Sequence, residues 1–314
     1  MAKQLFVPVL ISAYNRYNLL QKCIESLKGN PEASYTHLFL ALDAPMERNH
    51  INACERVFEY ANSITGFNEV TVIRREKNIG STQNIKQAMD LIFSYYDRVV
   101  FIEDDNELAP NFLNYMNAAL EKYKNDPSVY AVNGYNYPIV NDDITSGDVY
   151  RFKGYCAWGV GIWRGKRLKI NRSHSYVIHY VRNPLNLLRT NRIASSYNTF
   201  FVRHALMGRY VGDAMICLNL IQNKWDCLFP VRTLVRNLGT DGSGSHHVSD
   251  KRFMDQILFN GLTEPESLIN EAELRIVKRR LKKYFSIGTI ATLRWIRDYI
   301  IFIVKHLTNR QVLY

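Results

Sequence analysis

Strand-like and helix-like patterns alternate four times within the first 125 residues of this 314-residue chain, and no other feature constrains its fold as much. Leu5 to Ser12 (LFVPVLIS) has the unbroken apolar character of a buried strand. Leu19, Leu20, Cys23, Ile24 and Leu27 then follow at helical spacing up to Gly29. His37 to Asp43 predicts a second strand, and Ile51, Cys54, Val57, Phe58 and Ala61 stripe a second helix. Val70 to Arg74 and Val99 to Ile102 predict two more strands, separated by a helix over Thr82 to Tyr96. Pro110 opens a further helix striped by Leu113, Met116, Leu120 and Tyr123. Such alternation is the mark of a doubly wound, mostly parallel sheet. With 47% apolar and 22% charged residues the chain can bury a full core, which excludes disordered, collagen-like and coiled-coil classes.

In sheets of this kind ligands bind beyond the carboxyl ends of the strands. Every predicted strand delivers polar groups there: Ala13-Tyr14-Asn15-Arg16, Asp43-Ala44-Pro45, Lys77-Asn78-Ile79-Gly80-Ser81 and Glu103-Asp104-Asp105. Three adjacent carboxylates repel one another, and a cation at the strand end would compensate them; the bland alternative is an acidic entry to the helix opened by Pro110. Asn78 to Ser81 is neither GxGxxG nor GxxxxGK[ST], so a nicotinamide enzyme or P-loop ATPase is poorly supported, and an ordinary capped turn stays open.

Three segments of the second half also carry polar or aromatic chemistry. Asp241 to His247 (DGSGSHH) is glycine-rich and ends in two histidines, one of which could complete a metal shell; a flexible exposed loop is the alternative. The ligand spacings of a zinc hydrolase are absent. Asp213 leads an apolar helical stretch and, judged alone, reads as a simple N-cap. Tyr155 to Trp163 (YCAWGVGIW) reads as a sugar-stacking loop or as core.

Taken in order, VPVLISAYNR, LFLALDAP, EKNIGSTQNI, VVFIEDDNELAPNFLNYMNAAL, YCAWGVGIW, GDAM and LVRNLGTDGSGSHH resemble a bacterial glycosyltransferase of the GT-A fold, of the family-2 type, over residues 5 to 250. The EDD motif is similar to that of the N-acetylglucosaminyltransferase I group. This resemblance implies a nucleotide-sugar-binding half (1–135), an acceptor-binding half (136–250) and a basic helical extension (251–314). It implies a nucleotide-sugar donor, with UDP the expected nucleotide, and a divalent cation, Mn2+ or Mg2+. Ala13, Tyr14, Arg16 and Asp43 would hold base and ribose, with Asn78, Gly80 and Asn84 near ribose and diphosphate. Glu103 and Asp104 would lie on the nucleotide side, Asp105 would bind the metal, and His246 would contact metal or phosphate. Asp213 would be the base of an inverting transfer in surface polysaccharide synthesis, although Asp213-Ala214-Met215 departs from the Asp-Ser-Trp or Asp-Asp-Trp of many relatives.

The chain carries a net charge of +11, and from Glu271 to Tyr314 ten basic residues face only three acids. A basic tail on a nearly balanced body implies a local anionic surface. Lys278, Arg279, Arg280, Lys282 and Lys283 precede an amphipathic stretch, Ile287 to Val304. Leu293, Ile296, Ile300, Ile303 and Val304 share one of its faces, with Trp295 and Tyr299 as interfacial anchors. This predicts docking on an anionic membrane that presents a glycan or lipid-linked acceptor, with no nucleic acid partner; packing on the body or a dimer interface is the alternative. The longest apolar run, Tyr299 to Val304, is far too short to span a bilayer. The N-terminus lacks a signal peptide's pattern, and five cysteines sit at no CxxC spacing. The expectation is a cytoplasmic protein, peripheral on the inner face of the membrane, of open oligomeric state. A sugar nucleotidyltransferase is the rival enzyme, though the first loop has no glycine; a non-enzymatic binder of lipid or nucleic acid is the rival outside enzymes.

Overall fold

The computed structural model describes residues 6–139, 141–208, 212–239 and 250–308. Its strands are β1 (Val9–Ala13), β2 (His37–Leu42), β3 (Glu69–Arg74), β4 (Arg98–Glu103), β5 (Asn106–Leu108), β6 (Val129–Asn133), β7 (Val149–Phe152), β8 (Val160–Trp163), β9 (Asp226–Pro230) and β10 (Val235–Asn237). The helices of the first half are α1 (Tyr17–Lys28), α2 (Ile51–Ser63), α3 (Ser81–Tyr95) and α4 (Phe112–Lys122). After β8 come α5 (Arg164–Arg167), α6 (His174–Arg182), α7 (Pro184–Ile193), α8 (Ser195–Met207) and α9 (Gly212–Asn223). The C-terminal part is helical, with α10 (Lys251–Met254), α11 (Glu271–Tyr284) and α12 (Thr289–Thr308).

Eight strands form one mixed sheet in the order β3-β2-β1-β4-β8-β6-β9-β7. The first four strands run parallel, while β8 is antiparallel to both β4 and β6, and β7 to β9. The central strands read as continuous apolar runs because they are covered on both faces: Val9, Leu10 and Ile11, and Val99, Val100 and Ile102, are fully buried. Helix α1 buries Leu20, Cys23, Ile24 and Leu27 and ends at Gly29, as its spacing predicts. Among the described residues the first strand starts at Val9, since Pro8 has no N–H to give the ladder; Leu5 lies outside the described residues.

The chain winds from β1 outward to β2 and β3, then returns to place β4 on the other side of β1. This reversal opens a crevice at the carboxyl ends of β1 and β4. The register pairs Ser12 with Glu103, so the turn after β1 lies beside the acid trio. A two-stranded ribbon, β5 with β10, pairs Asn106 with Asn237 and brings the end of β10 to the same place.

The C-terminal part is fastened to this body. Leu268 bridges Val149, Tyr123 Oη donates to Pro265 O at 2.8 Å, and α11 buries Val277 and Leu281. Helix α12 lies along α8 with Phe302 wholly buried. Trp295, Tyr299 and Ile303 also pack against the core, so these two aromatics are not the exposed anchors the sequence pattern predicts. Leu293, Ile296, Ile300 and Val304 remain exposed on the opposite side of the helix, together with Ile290. Among the described residues no helix is long and apolar enough to cross a membrane.

Candidate active site

The turn after β1 is fixed by Tyr14, whose Oη bonds His50 Nδ1 at 2.9 Å and accepts from Met46 N at 2.7 Å. Ala13 beneath it is buried. At the end of β2, Asp43 Oδ1 accepts from Ala44 N and Ile79 N, both at 3.0 Å, while Asn78 Nδ2 donates to Ala44 O at 2.7 Å. Two strand ends are thereby tied together. Gly80 follows at φ +77, a left-handed conformation that favours glycine, at the start of α3. Asn84 lies one turn on, wholly buried, with Nδ2 on Ala41 O at 3.0 Å and Oδ1 accepting from Arg75 Nε at 2.9 Å. Its side chain braces the rim from below rather than facing the crevice.

At the end of β4 the three carboxylates take different surroundings. Arg16 Nη2 contacts Asp104 Oδ1 and lies 3.0 Å from Asp105 Oδ2. The sequence resemblance assigns Arg16 to base and ribose; here its guanidinium is held by the acid cluster. Asp105 Oδ1 accepts from Asn106 Nδ2 at 3.1 Å and Asn237 Nδ2 at 2.8 Å, and Asp105 O accepts from Leu238 N at 2.8 Å. Gly239 passes so close that a Cβ there would stand 2.0 Å from Asp105 Oδ2. Only glycine fits.

Sequence reasoning missed Asn106 and Asn237 as partners of Asp105. Asn106 adjoins the trio, but Asn237 is brought in only by the β5–β10 pairing across 132 residues. The available signal was an amide directly before the glycine-rich loop.

The electrostatics follow from this crowding. Burial, then repulsion from Asp105, Asp213 and Asp104, pushes Glu103 up to about 8. Burial lifts Asp104 to about 6 against the opposing pull of Arg16. Burial also raises Asp105, again opposed by Arg16. Asp213 stands in the first turn of α9, close enough for its charge to act on Glu103, Tyr155 and Tyr197. Asp213 is exposed at the surface of the helix, and desolvation by the protein around it pushes it up to about 6.

The trio therefore crowds a rim where Arg16 pairs with Asp104 and Asp105, and the charge of Asp213 is felt at Glu103. Among the described residues no three His, Cys, Asp or Glu side chains form a ready metal cage. A cation held by one or two carboxylates and the oxygens of a bound diphosphate needs no such cage, and the excess negative charge fits it. His246 and the rest of the DGSGSHH loop lie outside the described residues. Trp163 is core, its Nε1 donating to Leu120 O at 3.1 Å, and Trp158 packs between Tyr135 and Phe253.

The sequence profile of glycosyl transferase family 2 matches residues 9–199. A search of curated proteins returns no match. Among solved structures, the mannosyltransferase PcManGT of Pyrobaculum calidifontis, in complex with GDP-Man and Mn2+, aligns at 16% identity and a TM-score of 0.39, covering 56% of this chain and 52% of that one. TarS 1–349 of S. aureus with UDP-GlcNAc aligns at 17% and 0.29, covering 40% and 33%. Glucosyl-3-phosphoglycerate synthase of Mycobacterium tuberculosis, with Mn2+, UDP and glucosyl-3-phosphoglycerate, aligns at 16% and 0.29, covering 41% and 43%. The chain spans about half or less of the length of these structures.

Proposed function

The chain belongs to glycosyl transferase family 2, and on that premise we propose that it transfers a hexosyl or N-acetylhexosaminyl group from a UDP-sugar to a glycan or lipid-linked acceptor, inverting the anomeric centre. The observation that carries this reading is the acid trio at the β1–β4 crevice, held by Arg16, Asn106 and Asn237, with Asp213 near enough to act on Glu103.

Asp213 takes the proton of the acceptor hydroxyl, whose oxygen attacks the anomeric carbon as the bond to the nucleoside diphosphate breaks on the opposite face. A carboxylate raised to about 6 by desolvation is deprotonated at neutral pH yet basic enough for this task. Tyr14 and Asp43 shape the base and ribose side, with Ala13 as its floor; Asn78 and Gly80 line the approach of the diphosphate, and Asn84 supports them. On the similarity of EDD to the N-acetylglucosaminyltransferase I motif, Glu103 and Asp104 belong to the nucleotide side. Mn2+ or Mg2+ would be held by Asp105, with His246 as a further contact to metal or phosphate, and would neutralise the charge of the departing diphosphate.

The same reading makes residues 1–135 the donor half, 136–250 the acceptor half and 251–314 the extension that meets the acceptor's membrane in surface polysaccharide synthesis. Exposed Leu293, Ile296, Ile300 and Val304 on α12, together with the exposed basic residues Lys278, Arg279, Lys282, Lys283 and Arg294, suit the inner face of an anionic bilayer. Arg280 is taken by Asp143 at 2.7 Å, so one of the five predicted basic contacts is already spent.

Thermal shift against a panel of nucleotide sugars, with and without Mn2+, tests the donor class. A UDP-sugar should raise Tm in the presence of Mn2+ through mass action. No shift with any nucleotide sugar, or a product that retains the donor's anomeric configuration, would sink the reading.

A further inference from the structure

The environment of Asp105 leaves a cation one place to bind. Oδ1 already accepts from two amide groups, Asn106 and Asn237, both on the short ribbon that positions the carboxylate. Oδ2 is the remaining oxygen, and one side of it is closed by the backbone of Gly239. On its other side stands Arg16 Nη2 at 3.0 Å, the same nitrogen that holds Asp104. A divalent ion bound directly to a carboxylate oxygen sits about 2.1–2.5 Å from it. Two cations on one oxygen at those distances repel, so the ion and the guanidinium compete for Oδ2.

Arg16 has somewhere else to go. It also lines an open groove of about 470 Å3 beside the start of α1, together with Lys22 and Arg56. The groove offers positive charge to an anion but no carboxylate to replace those Arg16 would leave. A guanidinium gives up two buried carboxylates only for another strong acceptor, and the oxygens of a diphosphate match its fork.

We infer that Arg16 is the resident counter-ion of the acid cluster, and that a divalent cation gains Asp105 only when a nucleoside diphosphate draws the guanidinium away. Metal and nucleotide binding are then coupled through one side chain, each strengthening the other by the same factor. The inference rests on Asp105 as the metal ligand, and the experiment separates the two.

The full chain is titrated with Mn2+ while the free-ion signal is followed by electron paramagnetic resonance, without nucleotide, with UDP and with GDP. Wild type should bind Mn2+ roughly 10-fold more tightly once the matching nucleotide is present. Arg16→Gln should bind Mn2+ alone roughly 10-fold more tightly than wild type does, with the gain from nucleotide correspondingly reduced. Lys22→Gln removes the same charge from the same groove without touching Asp104 or Asp105, and in the absence of nucleotide should bind Mn2+ as wild type does. If Lys22→Gln tightens Mn2+ as much as Arg16→Gln, a general field effect replaces the role given to Arg16. Nucleotide-tightened Mn2+ binding in wild type with no change in Arg16→Gln overturns the inference and leaves the metal site standing. No Mn2+ binding by any form with either nucleotide overturns both. Should Arg16→Gln fail to fold, as circular dichroism would reveal, Arg16→Lys takes its place: a single ammonium in place of the fork should still weaken the competition, and unchanged Mn2+ binding in that variant counts against the inference.

Discussion

The donor rim and the acceptor side of this molecule are built by different means. On the donor rim, hydrogen bonds stitch one strand end to the next: Asp43 to Ile79, Asn78 to Ala44, Asn84 to Ala41 and Tyr14 to His50. Tyr14 and Asp43 stand at the ends of the buried strands β1 and β2, which place them directly, and the segments that follow β2 and β3 supply their partners. On the acceptor side the charge of Asp213 acts on Tyr155, Cys156, Tyr197 and Cys217, groups buried by aromatic and apolar packing. A polar lattice holds its members to a fixed geometry, whereas a packed apolar wall mainly sets the dielectric around its one carboxylate.

The largest effect should come from the point where the lattice meets the metal. Asp105→Ala removes the carboxylate that Asn106, Asn237 and Arg16 all address, and should lower metal-dependent transfer by roughly 10³-fold or more. Steady-state turnover of the UDP-sugar, with Tm measured alongside, checks this; near-wild-type turnover would remove Asp105 from the site.

Asp213→Asn tests the other wall. It should keep donor binding and lose roughly 10²–10⁴-fold in kcat. The pH dependence carries a sign. A general base works deprotonated, so wild-type kcat should be full above about 6 and fall as pH drops through about 6, where the Asp213 carboxylate gains a proton. The residual rate of Asp213→Asn should lack this limb. If the acidic limb persists unchanged in that variant, it belongs to another group.

A smaller effect should come from Asn237→Ala, which leaves every carboxylate in place and removes one donor to Asp105 Oδ1. Second partners of a ligating carboxylate typically matter by 10–100-fold, so Mn2+ affinity should weaken by roughly that factor with little change in saturating kcat. An equal fall in kcat at saturating Mn2+ would mean that Asn237 acts on the reaction itself.

What was legible in the sequence divides along the same line. Continuous apolar runs and 3.6-residue stripes locate β1 to β4 and α1 to α4 to within a few residues, because parallel strands covered on both faces leave no other pattern. The acid trio is legible for the same reason, since a strand end points it at the crevice. Arg16 was legible as a rim residue but not as the partner of Asp104 and Asp105, for its side chain has to cross from β1 to β4 to reach them. Asn237 was hidden because a ribbon pairing across the sequence has no local signature. On α12 the amphipathic stripe was visible, but not which face turns inward: Trp295, Tyr299, Phe302 and Ile303 pack inward on the side of α8, and Leu293, Ile296, Ile300 and Val304 are left outside.

The smallest stability effect should come from that outer face, and it sharpens the contrast within a single helix. A helix of 20 residues is about 30 Å long, enough to lie across many headgroups. Leu293 and Ile300 are 62% and 57% exposed, so Leu293→Gln with Ile300→Gln should change stability by no more than about 0.5 kcal/mol each. Phe302→Ala, on the buried face, should cost about 3–5 kcal/mol. Co-sedimentation with vesicles then reads what the outer face does. Wild type should bind anionic vesicles in a salt-sensitive manner, since each exposed Lys or Arg near the surface contributes about 1 kcal/mol that salt screens. The double Gln variant, folded as stably as wild type, should lose most of that binding because the apolar insertion has gone while the charges remain. Equal binding by both proteins would make the attraction purely electrostatic. Equal binding to neutral and anionic vesicles, or none to either, would end the membrane role of α12, and a concentration-dependent dimer lost in the double variant would show a second copy of the chain covering the stripe instead.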